Sequence, residues 1–218
     1  MNNMIITTPS MWLKDIVGQS FLKDVKMAVV PNGIDLNVFS PQKSDNVIQK
    51  YNIPQDRKII LGVASIWEER KGLDTFIKLS KKLGSEYIII LVGLSQRQIK
   101  KLPINILGIK RTESKQELAV LYSKANVFLN PSQEETFSMV TIESMACGTP
   151  VIALDSSAVK ELIDGTNGIV LHEPTVEDYI TAIHSCELLK NRKDLIRDSV
   201  KKYSVDNMTQ RMLDIYEM

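Results

Sequence analysis

Val127-Phe-Leu-Asn-Pro-Ser-Gln-Glu-Glu-Thr-Phe-Ser-Met-Val-Thr-Ile-Glu-Ser-Met-Ala-Cys-Gly-Thr-Pro150 reads as strand, loop and helix in immediate succession. Val127–Leu129 is a short apolar run without polar alternation, as in a parallel strand covered on both faces. The loop 131–136 therefore falls at the carboxyl end of a parallel sheet, the edge at which doubly wound sheets bind ligands. A helix is expected to begin near Phe137 or Ser138 and to end at Gly148, a residue suited to a C-terminal cap, with Pro150 opening the next strand. The first amides of such a helix lack internal partners and carry the positive end of its dipole, which favours an anion.

Working outward, the same alternation fills most of the chain. Met27–Val30, Lys58–Ala64, Tyr87–Val92, Ile104–Leu107, Val151–Ala153 and Gly168–Leu171 read as further strands. Helical spacing appears in Leu73, Phe76, Ile77, Leu79 and Leu83, in Leu118, Leu121 and Tyr122, and over 141–146, 158–163 and 176–189. The expected fold is α/β, a doubly wound, Rossmann-like parallel sheet. Residues 1–24 hold one apolar run and one amphipathic segment, too little for a domain, and the boundary falls near residue 30, so that 1–30 stands apart. The polar stretch from Pro31-Asn-Gly33 to Lys43 reads as a connector, and 31–218 reads as the domain proper. A polar helical tail spans 192–217, with Leu195, Ile196, Val200, Met208, Met212 and Ile215 as its apolar stripe.

Composition narrows the function. Lys plus Arg number 27 against 26 Asp plus Glu, a net charge of +1, which gives no basic footprint for nucleic acid. Cys147 and Cys186 have no partner Cys or His at metal-ligand spacing, so a reducing cytoplasm is the simplest setting. No apolar run reaches the roughly 20 residues that span a bilayer, and the first residues lack the pattern of a signal peptide. The expectation is a soluble cytoplasmic protein, with a peripheral place at the inner face of the membrane as the variant.

The acidic pair Glu135 and Glu143 brackets the expected helix start. Eight residues span on the order of 12 Å along a helix axis, about the length of a diphosphate carrying a sugar on one side and a ribose on the other. A carboxylate at each end suits vicinal hydroxyls. Read from the residues alone, Glu135 serves equally as a helix cap and Glu143 as a solvated surface residue.

Glu135-x7-Glu143 followed by Met145-Ala-Cys-Gly-Thr-Pro-Val-Ile152 resembles the signature of family 4 retaining glycosyltransferases, enzymes built from two facing Rossmann-like domains (the GT-B architecture). The resemblance extends through Val30-Pro-Asn-Gly-Ile-Asp35, Arg70-Lys-Gly72, Leu91-Val-Gly93, Leu107-Gly108, Leu121-Tyr122 and Asp164-Gly-Thr-Asn-Gly168, in order over residues 25–217. Several linked motifs at family spacing are a specific signal. They imply that this chain is the carboxyl-terminal, donor-binding half.

The resemblance implies that Glu135 contacts hydroxyls of the transferred sugar and Glu143 holds the ribose. The backbone amides of Phe137, Ser138 and Met139 then approach sugar and phosphates. The family usually has glycines where Thr136 and Ser138 stand here, which narrows the sugar pocket. Lys71 matches a lysine that touches the diphosphate; without the resemblance it reads as one charge of the solvated run Glu68–Lys71. A second family cation falls at Ser65 or Ile66, neither of which carries charge, leaving Arg70 as the nearby substitute. The turn after Ile104–Leu107 lies where the family's main chain meets the base, pointing to Gly108 and Ile109. His172 and His184 match no catalytic position.

The implied reaction moves a sugar from a nucleotide-diphosphate donor to an acceptor hydroxyl with retained configuration. Neither cofactor nor metal is implied, since the nucleotide sugar is the substrate and no Asp-x-Asp pair is present. In the family, the acceptor glycan or glycolipid binds an N-terminal domain of which residues 1–24 resemble the last strand and helix. Trp12, Leu13, Val17, Phe21 and the tail stripe are then the apolar ends through which a homodimer would form. Two other functions share these residues: a non-catalytic nucleotide-sugar-binding module and a nucleotide-sugar epimerase.

Overall fold

The computed structural model describes residues 4–217. In chain order the strands are β1 (Ile5–Thr8), β2 (Lys26–Val29), β3 (Lys58–Val63), β4 (Tyr87–Val92), β5 (Ile106–Ile109), β6 (Val127–Asn130), β7 (Val151–Leu154) and β8 (Gly168–Leu171). The helices are α1 (Met11–Gly18), α2 (Asn46–Lys50), α3 (Leu73–Ser80), α4 (Gln96–Ile99), α5 (Lys115–Lys124), α6 (Met139–Ala146), α7 (Val176–Leu189), α8 (Lys193–Val200) and α9 (Val205–Tyr216).

Six strands form one sheet in the order β5-β4-β3-β6-β7-β8, every pair parallel. Apolar residues fill both faces of its central strands, and alternation sends them into two cores. From β3 and β4, Ile59, Leu61, Ile88 and Ile90 point to one side, where α5, α6 and α8 bring Leu121, Tyr122, Ile142, Met145 and Ile196. Ile60, Ile89 and Leu91 point to the other, where α3 and α7 bring Phe76, Leu79, Ile183 and Cys186. The chain starts at β3, steps outward to β5, returns to β6 and steps outward the other way. Its order therefore reverses between β3 and β6, the position at whose carboxyl-end edge doubly wound sheets take ligands.

Four sequence expectations shift. β5 begins at Ile106 rather than Ile104, because Pro103, Ile104 and Asn105 are used in a turn closed by Ile106 N–H to the Pro103 carbonyl (3.0 Å), leaving Ile104 exposed. Residues 157–162 form a 3₁₀ turn rather than an α-helix. The stretch after residue 30 is more than a connector: Ile34 and Phe39 are buried, and Ile34 exchanges backbone hydrogen bonds with Tyr203 and Val205. The tail is two helices separated by a 3₁₀ turn at 201–203; Ile196 and Val200 of α8 join the core, whereas α9 buries no residue.

Ahead of this sheet, β1 and β2 pair in parallel as a separate two-stranded sheet, with α1 as the crossover between them. Trp12, Leu13 and Val17 are half-buried, and Phe21 is 92% exposed. No helix among the described residues is long and apolar enough to cross a membrane.

Candidate functional site

The strand-order reversal brings together two loops far apart in sequence. After β3 the chain makes a 3₁₀ turn, Glu69–Lys71, that ends at Gly72 in the left-handed region (φ 71°). A Cβ on Gly72 would sit 2.7 Å from the Pro131 carbonyl oxygen, so only glycine allows the turn to rest against the loop after β6. The Gln133 N–H donates to the Arg70 carbonyl (2.8 Å) and ties the two loops together. Lys71 Nζ thereby meets Glu135 Oε1 at 2.7 Å, with the side chains only 17% and 13% exposed. At that depth the pair is screened less than a surface ion pair. Gly72→Ala is expected to lower stability by about 2–3 kcal/mol, through left-handed strain plus the carbonyl clash, as urea denaturation would measure.

Glu135 therefore does not cap α6. The helix starts at Met139, later than the sequence suggested, and its N-cap Ser138 makes no capping side-chain bond. Only the second half of the Glu135–Glu143 interval is helical, so the 12 Å helical rise does not apply. Ser138 takes φ 76°, a conformation natural to the glycine it replaces. Its hydroxyl is buried in a triangle with Asn130 Nδ2 (2.9 Å) and Thr141 Oγ1 (2.9 Å), with Asn130 Nδ2 also donating to Thr141 (3.1 Å). These bonds hold a strained residue and leave the first amides of α6 without a side-chain acceptor, four residues beyond the Glu135 that pairs with Lys71. Phe137 turns inward against the Tyr203 ring (5.4 Å, edge-on), while Thr136 is exposed and Met139 half-buried.

Glu143 stands on α6 and is not a solvated surface residue. The Tyr122 hydroxyl, fully buried on α5, donates to Glu143 Oε2 at 3.0 Å. Burial pushes the Glu143 carboxyl up to about 7, against the opposing pull of Tyr122 and Lys115. A partly buried carboxylate with one hydrogen-bond donor keeps acceptor capacity for further hydroxyls.

A family model described as glycosyl transferases group 1 matches residues 43–203. The chain belongs to that family. It is similar to the alpha-galactosylglucosyldiacylglycerol synthase of Streptococcus pneumoniae, 23% identical over 231 residues that cover 100% of this chain and 61% of that protein. The O-antigen chain mannosyltransferase of Salmonella typhimurium is 28% identical over 215 residues, 94% of this chain and 57% of that protein. Among solved structures, sucrose-phosphate synthase from Thermosynechococcus elongatus superposes with a TM-score of 0.83 at 24% identity, over 98% of this chain and 57% of the other. HepE of Anabaena, solved with UDP-glucose, gives 0.82 at 17% identity over 98% and 63%. These likenesses show a GT-B glycosyltransferase fold, of which this chain spans about three fifths.

Other residues expected from the family pattern are placed less centrally. Arg70 is exposed; its Nε bonds Glu68 (3.0 Å) and its Nη1 reaches the Glu134 carbonyl (3.5 Å). Ser65 is exposed and, with the exposed Ile66, puts no cation where the family usually has one. Gly108 and Ile109 lie inside β5 rather than in the turn after it, because the strand runs two residues further than expected. The Ile109 carbonyl is already used by the Gly93 and Leu94 amides (2.9 and 3.4 Å), and its side chain is buried. His172 and His184 are exposed.

Sequence reasoning missed the supports of this glycosyltransferase-family site. Tyr122 is 21 residues from Glu143; it stood out as part of the Leu121-Tyr122 family motif and of a helical face, but neither signal pointed to Glu143 as its partner. Ser157, whose hydroxyl accepts the Glu135 N–H at 2.8 Å, gave no local sign, since serine in a loop is the rule.

Proposed function

We propose that this chain supplies the nucleotide-sugar donor site of a retaining glycosyltransferase, as the carboxyl-terminal half of a two-domain enzyme. The observation that carries the reading is the Lys71–Glu135 pair, which joins the loops after β3 and β6 where strand order reverses, four residues ahead of the uncapped start of α6. The donor's diphosphate lies on the first amides of α6 with Lys71 beside it. Glu135 accepts from hydroxyls of the sugar and Glu143 from those of the ribose. As the sugar–oxygen bond breaks, Lys71 and the helix dipole meet the charge growing on the leaving diphosphate without a metal. The acceptor hydroxyl attacks from the face the diphosphate leaves, which retains the configuration.

The acceptor, a glycan or glycolipid, is held by a second domain seated on the β1–α1–β2 unit (residues 1–30), and 31–218 is the donor domain. The names of the Streptococcus and Salmonella relatives support that acceptor class. Supplied alone, this chain binds nucleotide and transfers sugar no faster than background. Of the apolar ends expected to pair, Phe21 is exposed while Trp12, Leu13 and Val17 are half-buried and Ile196 and Val200 are in the core. The exposed Met11, Ile16 and Phe21 at one end and Leu213 and Tyr216 at the other are the side chains through which a homodimer would form when that domain is not supplied; monomeric sedimentation at high concentration would exclude it.

Calorimetry tests the site directly. Titrated with nucleoside diphosphates and their 2′,3′-dideoxy counterparts, the wild type should prefer the ribose form. Glu143→Ala should erase most of that preference, about 10-fold for one or two hydrogen bonds to a charged group. An unchanged preference would refute the ribose assignment.

A further inference from the structure

The turn after β7 makes contacts that neither the family signature nor the ion pair explains. Three hydrogen bonds clamp it onto the loop that carries Glu135. Ser156 Oγ donates to the Ser132 carbonyl (2.8 Å), the Glu135 N–H donates to Ser157 Oγ (2.8 Å), and the Ala158 N–H donates to the Glu135 carbonyl (3.2 Å). Both main-chain polar groups of Glu135 are thus held by two successive residues of one turn. Ser157 adopts φ 56° to do so, a conformation that costs a non-glycine residue energy and persists where surrounding contacts enforce it.

The other end of the same turn reaches across the molecule. Glu161 accepts from the Met11 N–H through Oε2 (3.0 Å) and from the Trp12 N–H through Oε1 (2.7 Å). With Ser10 Oγ accepting from the Leu13 N–H (3.2 Å), the first three amides of α1 are satisfied, two of them by a residue about 150 positions away. A carboxylate at a helix N-terminus also gains from the dipole. Among the described residues, α1 makes no other hydrogen bond to the main-sheet part of the chain.

We propose that the Ser157–Leu162 turn is a positioning element, in which Ser157 sets the stance of Glu135 and Glu161 couples that stance to the seating of the β1–α1–β2 unit. A rigid short turn held at both ends transmits a shift of α1 to the Glu135 main chain, and through it to the Lys71 ion pair. The functional side of this inference rests on Glu135 being the sugar contact; the mechanical side does not.

Two measurements on the full chain keep these sides apart. In amide hydrogen exchange, Glu161→Ala should speed exchange of residues 132–137 by about 5-fold, the scale of one lost hydrogen bond. β4 should stay unchanged, and Glu161→Gln, which keeps one acceptor, should fall between. Unaltered exchange over 132–137, or acceleration spread evenly over β4 as well, overturns the coupling. In calorimetry with UDP, ADP and GDP and their glucose conjugates, Ser157→Ala should shrink the extra affinity of the sugar form about 5-fold without weakening the free diphosphate. Equal weakening of both overturns the positioning role. Should the wild type bind none of the six nucleotides, the donor reading fails and the exchange result alone decides the coupling.

Discussion

Lys71→Ala is expected to weaken binding of free nucleoside diphosphate by about 30-fold or more, the scale of a hydrogen bond to a charged group. Glu135→Gln is expected to do the opposite. In the unliganded protein the Lys71 ammonium is already compensated by Glu135 at 2.7 Å, so an incoming diphosphate shares a cation that has a partner. Neutralising Glu135 frees Lys71 and removes a negative charge beside the phosphates, so free diphosphate binds several-fold tighter at low salt. The sugar conjugate loses its advantage, because an amide has only one acceptor oxygen for the hydroxyls. The two substitutions thus move diphosphate affinity in opposite directions, which a surface lysine unrelated to the site would not produce. Calorimetry at fixed ionic strength reads both; weakening by Glu135→Gln of free diphosphate would overturn this account.

Glu143→Gln is expected to stabilise the protein at pH 8 by about 3 kcal/mol and to change little at pH 4. The sign follows from burial. The carboxyl is pushed from its ordinary 4.5 to about 7 in the folded protein, so the folded state binds more protons than the unfolded state between those values. Stability contributed by the neutral form is fully present below about pH 4.5 and is lost as pH rises through 7. Glutamine keeps an acceptor for the Tyr122 hydroxyl without carrying charge, so it escapes that loss. Ribose binding should pay the opposite way: about 10-fold weaker in the variant at pH 8, with the gap closing toward pH 6, where wild-type Glu143 is protonated. Urea denaturation at the two pH values and calorimetry at pH 6 and 8 check the two halves. A group that destabilises the fold while serving the ligand is a known compromise of functional sites.

Most of the sheet was legible because its signals are local. Tyr87–Val92 and Gly168–Leu171 are strands and Val176–Leu189 a helix over the same residues read from their periodicity. Boundaries moved where a local competitor entered. The Pro103 turn displaced β5, and with it Gly108 and Ile109; the left-handed Ser138 delayed α6. The stretch 31–43 looked like a connector because only Ile34 and Phe39 within polar surroundings pack inward, too few for a period.

What the sequence determined by itself was the set of elements, the loop at the sheet's carboxyl edge and the residues that carry charge there, since each follows from spacing within one segment. Only the tertiary structure decided their partners. Lys71 meets Glu135 because parallel strands β3 and β6 become neighbours and Gly72 lets their loops touch. Tyr122 reaches Glu143 because α5 and α6 pack on the same face, and Ser157 and Glu161 tie Glu135 to α1 across the fold. Such pairings join groups 21 to 150 residues apart, and no periodicity within a segment encodes which distant side chain will stand within 3 Å. That is settled by strand order and by which face each helix covers.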